Sequence, residues 1–136
     1  MTIVCAIQYN ICRGDSMSDQ SDIFSSLIME LRRGTVVLGV LSQLNEPQYG
    51  YSLMQSLQEK GFPVDAGTLY PLLRRLEKQE LLRSNWETSG SKPRKYYVMS
   101  DIGRTVYQKL CSEWTVMTEN MEKLINENGS EPDGND

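Results

Sequence analysis

Between Asp65 and Met99 the apolar positions first recur every three or four residues and then give way to two short strand-like runs. Leu69, Leu72, Leu73 and Leu76 fall at i, i+3, i+4 and i+7, the spacing that lines one face of an α-helix. The opposite face carries Thr68, Pro71, Arg74, Arg75 and Lys78, with Tyr70 at its border. Asp65 is a candidate N-cap, its carboxylate placed to accept a free N–H of the first turn. Gly67 leaves room for close backbone approach at the helix start. Pro71 removes a backbone donor and is expected to loosen or kink that first turn. Residues 81–87 and 94–99 can run as strands, and Thr88-Ser89-Gly90-Ser91-Lys92-Pro93 between them is turn chemistry. A helix leading into a hairpin tipped with Lys92, Arg94 and Lys95 has the pattern of a recognition helix followed by a basic wing.

Upstream, residues 21–44 form one long helical pattern. Leu27, Leu31, Gly34, Leu38 and Leu41 step by four and three, and Ile23, Phe24, Ile28, Val37 and Leu44 broaden the stripe. Asp19, Ser21 or Asp22 is expected to cap its start, and Gly34 to serve close helix approach. Asn45-Glu46-Pro47 ends it. Tyr49-Gly50-Tyr51 opens the next helix, which runs to about Lys60 with Leu53, Met54 and Leu57 inward. After it, Gly61-Phe62-Pro63-Val64 makes the turn before Asp65. Two helices joined by a short Gly/Pro turn make a helix-turn-helix, whose first helix crosses a nucleic-acid backbone while the second enters the major groove. Tyr51 and Gln55 then lie in reach of phosphates, and Tyr51 is equally readable as a packed aromatic.

Downstream, Tyr107, Leu110, Trp114, Met117, Met121 and Leu124 step by three and four, a heptad seam too short to stand alone as a coiled coil. Buried against the long first helix of a second subunit, the seam makes a homodimer, and two-fold symmetry then predicts a palindromic site. The fold class expected is α+β, mostly α: a winged helix-turn-helix with an N-terminal helix and a C-terminal dimerisation helix. The divisions are a disordered N-terminal extension over 1–19, a winged-helix DNA-binding domain over 20–101, the dimerisation helix over 102–127 and a disordered acidic tail over 128–136. Met17 lies close to the start of the compact domain, so residues 1–16 are read as an extension set by the choice of start codon.

Charge sharpens the picture. The net charge of −4 over 136 residues argues at first against nucleic acid. From Asp65 to Arg104, however, eight basic residues face five acidic ones, net +3, and from Glu113 onward seven acidic residues face Lys123 alone. A basic face with an acidic tail is compatible with DNA binding. With no histidine, an imidazole acid/base or nucleophile relay is excluded. Cys5, Cys12 and Cys111 form no CxxC pair, so no metal site is expected, and no dinucleotide or P-loop pattern occurs. No enzymatic activity and no cofactor are expected. An odd cysteine count without a signal peptide suggests a reducing, cytoplasmic setting, and the apolar run within residues 1–14 is too short to span a bilayer, so no membrane partner is expected.

Four runs carry a resemblance: Tyr49-Gly50-Tyr51; Gly67-Thr68-Leu69-Tyr70-Pro71-Leu72-Leu73-Arg74-Arg75-Leu76-Glu77; Arg94-Lys95-Tyr96-Tyr97; and Ser100-Asp101-Ile102-Gly103. Over about residues 27 to 125 the chain resembles the PadR family of bacterial transcriptional regulators, in its short form with a single C-terminal helix. Ser100 departs from the family's commoner Thr, and either hydroxyl can cap the following helix. The resemblance implies a winged-helix repressor binding an inverted-repeat operator in double-stranded DNA as a homodimer. It implies DNA contacts by Tyr70 and Arg74 on the recognition helix and by Lys92 and Arg94 on the wing. Trp114 is placed like the tryptophan with which multidrug-sensing members stack flat cationic drugs. With Met117 and Met121 it is a candidate site for a small hydrophobic or cationic effector, Glu113 adding counter-charge, or else it fills the dimer interface. The alternative to a DNA-binding regulator is a winged-helix protein-interaction and dimerisation module whose basic face is solvated.

Overall fold

The computed structural model describes residues 17–129. The order is α1 (Met17–Arg33), α2 (Val36–Ser42), β1 (Gln48–Tyr49), α3 (Gly50–Glu59), α4 (Ala66–Lys78), β2 (Leu82–Glu87), β3 (Arg94–Met99) and α5 (Asp101–Gly129). The described residues divide into two units, with the boundary between Val36 and Val37. The expectations for residues 1–16 and 130–136 lie outside the described residues. At the edges of those expected segments, residues 17–19 and 128–129 are helical.

The first unit corrects the expected long helix. Residues 21–44 are not continuous: α1 stops at Arg33, where both the backbone N–H and the hydroxyl of Thr35 donate to the Arg32 carbonyl at 2.8 Å. A side chain that competes for a helical carbonyl, beside a glycine that resists helix, explains the break. Gly34 therefore marks a turn rather than a close approach; a Cβ there would meet open space. Because α1 starts at Met17, Asp19, Ser21 and Asp22 lie inside the helix instead of capping it. Along α1, Phe24, Leu27 and Leu31 are exposed.

The second unit has one apolar core. Val40 and Leu41 of α2, Leu44 beyond it, Leu53 and Leu57 of α3, and Leu69, Leu72, Leu73 and Leu76 of α4 are buried with Leu82, Tyr97 and Met99 of the sheet. The leucines of α4 are the four that its spacing put on one face. Helix α2 ends at Ser42, two residues before the expected boundary, and the chain tightens into i→i+3 bonds from Gln43 and Leu44.

The sheet has the order β1-β3-β2, all antiparallel. The hairpin register pairs Leu82 with Met99, Ser84 with Tyr97 and Trp86 with Lys95, so these six side chains share the face that leads into the core. The third strand was not anticipated: Gln48 and Tyr49 pair with Tyr97 and Tyr96. Two residues are too few to leave a strand signature.

Both helices of the helix-turn-helix end in the same closing motif. After α3, Phe62 N–H donates to the Leu57 carbonyl (2.8 Å) and Gly61 N–H to Gln58 (3.0 Å), with Gly61 at φ 82°. After α4, Leu81 N–H donates to Leu76 and Glu80 N–H to Glu77, both 2.9 Å, with Glu80 at φ 65°. These are Schellman pairs, which satisfy the last carbonyls through a left-handed residue. The root of α5 is then fixed to this corner. Ser100 donates its backbone N–H to the Leu81 carbonyl (3.0 Å) and its hydroxyl to the Glu80 carbonyl (2.7 Å). The same Ser100 oxygen accepts the Gly103 N–H at 2.9 Å, the cap expected of it.

Candidate nucleic-acid interface

The site is built on α4. Asp65 caps it as expected, one carboxylate oxygen accepting the Thr68 N–H (3.2 Å) and the other the Thr68 hydroxyl (3.0 Å). Thr68, Pro71, Arg74, Arg75 and Lys78 are exposed along the side opposite the leucines. The helix runs unbroken through Pro71, in its second turn, so the expected loosening of the first turn is not observed. The lost donor leaves one carbonyl, that of Gly67, without its i+4 partner, on an exposed residue where water can replace the bond.

Tyr70 is half-buried and lies over the first residue of α3. A Cβ on Gly50 would sit 2.5 Å from the Tyr70 ring and 2.6 Å from its hydroxyl. A glycine at that point therefore fixes how closely the two helices approach. The next residue, Tyr51, is 63% exposed, and Gln55 one turn on donates to its hydroxyl at 3.4 Å. Tyr51 and Gln55 thus stand together on the outer side of α3, and the packed-aromatic reading of Tyr51 does not describe it.

The hairpin places its cations differently from one another. Lys92 is exposed in the turn. Arg94 lies on the outer face of β3 with its guanidinium 5.0 Å from the centre of the Tyr49 ring. Tyr49 meets Tyr96 edge-on at 5.8 Å and donates its hydroxyl to Glu87. That hydrogen bond raises the Tyr49 pKa and, with a second from Ser89 and the nearby Arg94 charge, lowers that of Glu87. Lys95 points to the opposite face. Its ammonium lies 3.3 Å from the Glu77 carboxylate of α4, and over the rings of Tyr97 (5.3 Å) and Trp86 (5.9 Å). Glu77 also accepts the Ser84 hydroxyl; that bond, then Lys95, holds its carboxyl below the ordinary glutamate value. Lys95, grouped with the wing-tip cations in the sequence, thus joins wing to helix; Lys92 and Arg94 are the more exposed charges.

Trp86 was missed. It is 61% exposed on β2, next to the turn, and carries no periodic or charge signal in the sequence. With Tyr51, Tyr70, Tyr97, Arg94 and Lys95 it lines a cleft of about 400 Å³ between the start of α3 and the outer half of the hairpin.

Away from this face, the seam of α5 stands open. Tyr107 and Leu110 are half-buried, while Trp114 (42% exposed), Met117, Met121 and Leu124 are exposed on a helix of 29 residues. A hydrogen bond with Cys111 one turn on raises the Tyr107 pKa. Among the described residues no cluster of three or more potential metal ligands occurs, and no helix is long and apolar enough to cross a membrane.

A helix-turn-helix whose second helix runs into a cationic antiparallel hairpin defines a winged-helix protein. The profile of the PadR-like transcriptional regulator family matches residues 37–109. The chain is 52% identical to a PadR family transcriptional regulator from Eggerthella lenta, whose crystal structure superposes with a TM-score of 0.77 over 81% of this chain and 97% of that one. A PadR-like transcriptional regulator from Bacillus cereus matches at 28% identity and TM-score 0.63, covering 71% of this chain and 96% of the other. The transcriptional regulator Rv3488 of Mycobacterium tuberculosis is 36% identical over 76 residues, 55% of this chain and 71% of its own length. The chain belongs to the PadR-like family of transcriptional regulators.

Proposed function

We propose that the protein is a repressor that binds an inverted-repeat operator in double-stranded DNA as a homodimer. The observation that carries this reading is the exposed strip of Thr68, Pro71, Arg74 and Arg75 on α4 beside Lys92 and Arg94 of the wing. The helix enters the major groove with Tyr70 and Arg74 at base edges, Tyr51 and Gln55 meet the flanking phosphates, and the wing reaches the neighbouring backbone or minor groove. The winged-helix domain over 20–101 supplies the contacts and the helix over 102–127 the second subunit. Two copies of the seam from Tyr107 to Leu124, each buried against the first helix of the other subunit, remove the exposed apolar side chains of α5 from water. Such a protein works without chemistry at the site and belongs in the cytoplasm beside the chromosome.

Trp114, Met117 and Met121 near the two-fold axis form a flexible apolar site for a planar effector, which releases DNA if it binds better to a subunit spacing that misaligns the recognition helices. The deciding experiment is an anisotropy titration of a labelled duplex from upstream of the protein's own gene, at several salt concentrations, beside an unrelated duplex. Tight binding to the first alone, weakening steeply as salt rises, is expected. Equal weak binding to both would reject operator recognition at that site and favour the interaction-module alternative.

A further inference from the structure

The cleft between α3 and the hairpin is walled by aromatic rings and by Arg94 and Lys95, and no carboxylate lines it. Glu77 and Glu87 stand behind it, where they hold Lys95 and Tyr49. Trp86 and Tyr51 are its two most exposed rings. A large apolar side chain left 61% exposed next to a second one, Tyr51, is a patch that a partner would cover. The cleft adjoins the basic face of α4 and the wing turn with Lys92. One nucleic-acid strand offers the matching surface, an apolar sugar face alternating with a phosphate. We propose that the cleft seats the sugar–phosphate strand of the bound duplex, with Trp86 flat against a deoxyribose and Arg94 on the adjacent phosphate.

In that seat Tyr51 closes the side toward α3. The ammonium of Lys95, anchored by Glu77, lies 5.9 Å from the centre of the Trp86 ring and steadies one face of it by cation–π attraction. The contact is to backbone, so it adds affinity on any sequence and leaves the choice of sequence to α4. This inference rests on the DNA-binding reading above and adds a residue, Trp86, and a place on the duplex to it.

The test is a pair of anisotropy titrations, with the upstream duplex and with an unrelated duplex at low salt, of the full chain and its Trp86→Ala and Trp86→Phe variants. Tryptophan emission is followed throughout. Trp86→Ala is expected to weaken both complexes by about tenfold, in the range of aromatic contacts to nucleic acid, and Trp86→Phe by less. Binding should change the emission of the full chain, and that change should be missing in Trp86→Phe, which keeps Trp114. Unchanged affinities, together with an emission change that survives in Trp86→Phe, would overturn the seat while leaving DNA binding intact. A loss confined to the upstream duplex would also overturn it, by showing Trp86 reading bases. A change in the mass of the DNA-free Trp86→Ala protein in sedimentation would reassign the cleft to a contact between copies. Failure of the unaltered chain to bind either duplex would remove the DNA reading and the seat together. If Trp86→Ala does not fold by circular dichroism, Trp86→Phe and the emission decide.

Discussion

At the scale of the residue, Gly61 and Glu80 occupy equivalent positions. Each follows the C-cap of a helix in a Schellman pair and each sits at positive φ, 82° and 65°. A side chain there clashes with its own backbone at a cost of about 1–2 kcal/mol, which glycine avoids. Glu80→Gly is therefore expected to raise unfolding stability by about 0.5–1 kcal/mol, read as a shift of the urea midpoint at constant slope. Glycines 50 and 103 behave in the opposite sense. A Cβ at Gly50 runs into Tyr70, and one at Gly103 into the Leu81 carbonyl. Gly50→Ala should cost about 1–3 kcal/mol of stability through forced repacking, and should weaken DNA binding through displacement of Tyr70; thermal melts and anisotropy measure the two. The sequence announced some of these sites. Asp65 and Ser100 were legible as caps because a short polar side chain before a helix has few other uses. Glu80 was not, because its left-handed backbone is imposed by the α4–β2 junction rather than by its own chemistry. Trp86 was silent because exposure of an isolated aromatic leaves no pattern.

At the scale of the element, the hairpin is tethered to α4 through one carboxylate. Glu77 accepts the Ser84 hydroxyl and pairs with Lys95, and its pKa is held below the ordinary 4.5. A lowered carboxyl contributes its full stability above that ordinary value and loses it as pH falls through the lowered one. Melting temperature should therefore drop as pH falls below about 4.5, and Glu77→Gln, less stable at neutral pH, should show a shallower drop. Strand alternation already required Arg94 and Lys95 to point to opposite faces. It could not say which faced α4; the pairing of Trp86 with Lys95 and of Leu82 with Met99 decides that. The continuous helix expected over 21–44 failed for a related reason: periodicity carries across a break that keeps the stripe in phase, and the hydroxyl of Thr35, which competes for the Arg32 carbonyl, leaves no mark on that period.

At the scale of the whole molecule, dimerisation and DNA binding should fall together. Met117→Lys places a charge in the middle of the seam, and the sedimenting mass is expected to change from two chains to one. Half-sites held by separate monomers lose the gain from linkage, so operator affinity should fall by about a hundredfold or more in the same variant. Arg74→Ala should instead leave the mass unchanged and cost about 1–3 kcal/mol of operator binding. The α4 face and the seam were readable from spacing because both are long and periodic; the cleft was not, because it gathers side chains from five elements, β1, α3, α4, β2 and β3.

Ser100 touches the Glu80 and Leu81 carbonyls and the Gly103 N–H within a single corner. That corner is a fulcrum. At 1.5 Å per residue the 29 residues of α5 make an arm of about 43 Å, so a tilt of about 5° at Ser100 swings its far end by about 4 Å. Run in reverse, a displacement of a few ångströms near the end of the arm returns to the base of α4 and β2 as a rotation of a few degrees. The recognition helix and the wing share that hinge pin, so they would turn as one tool.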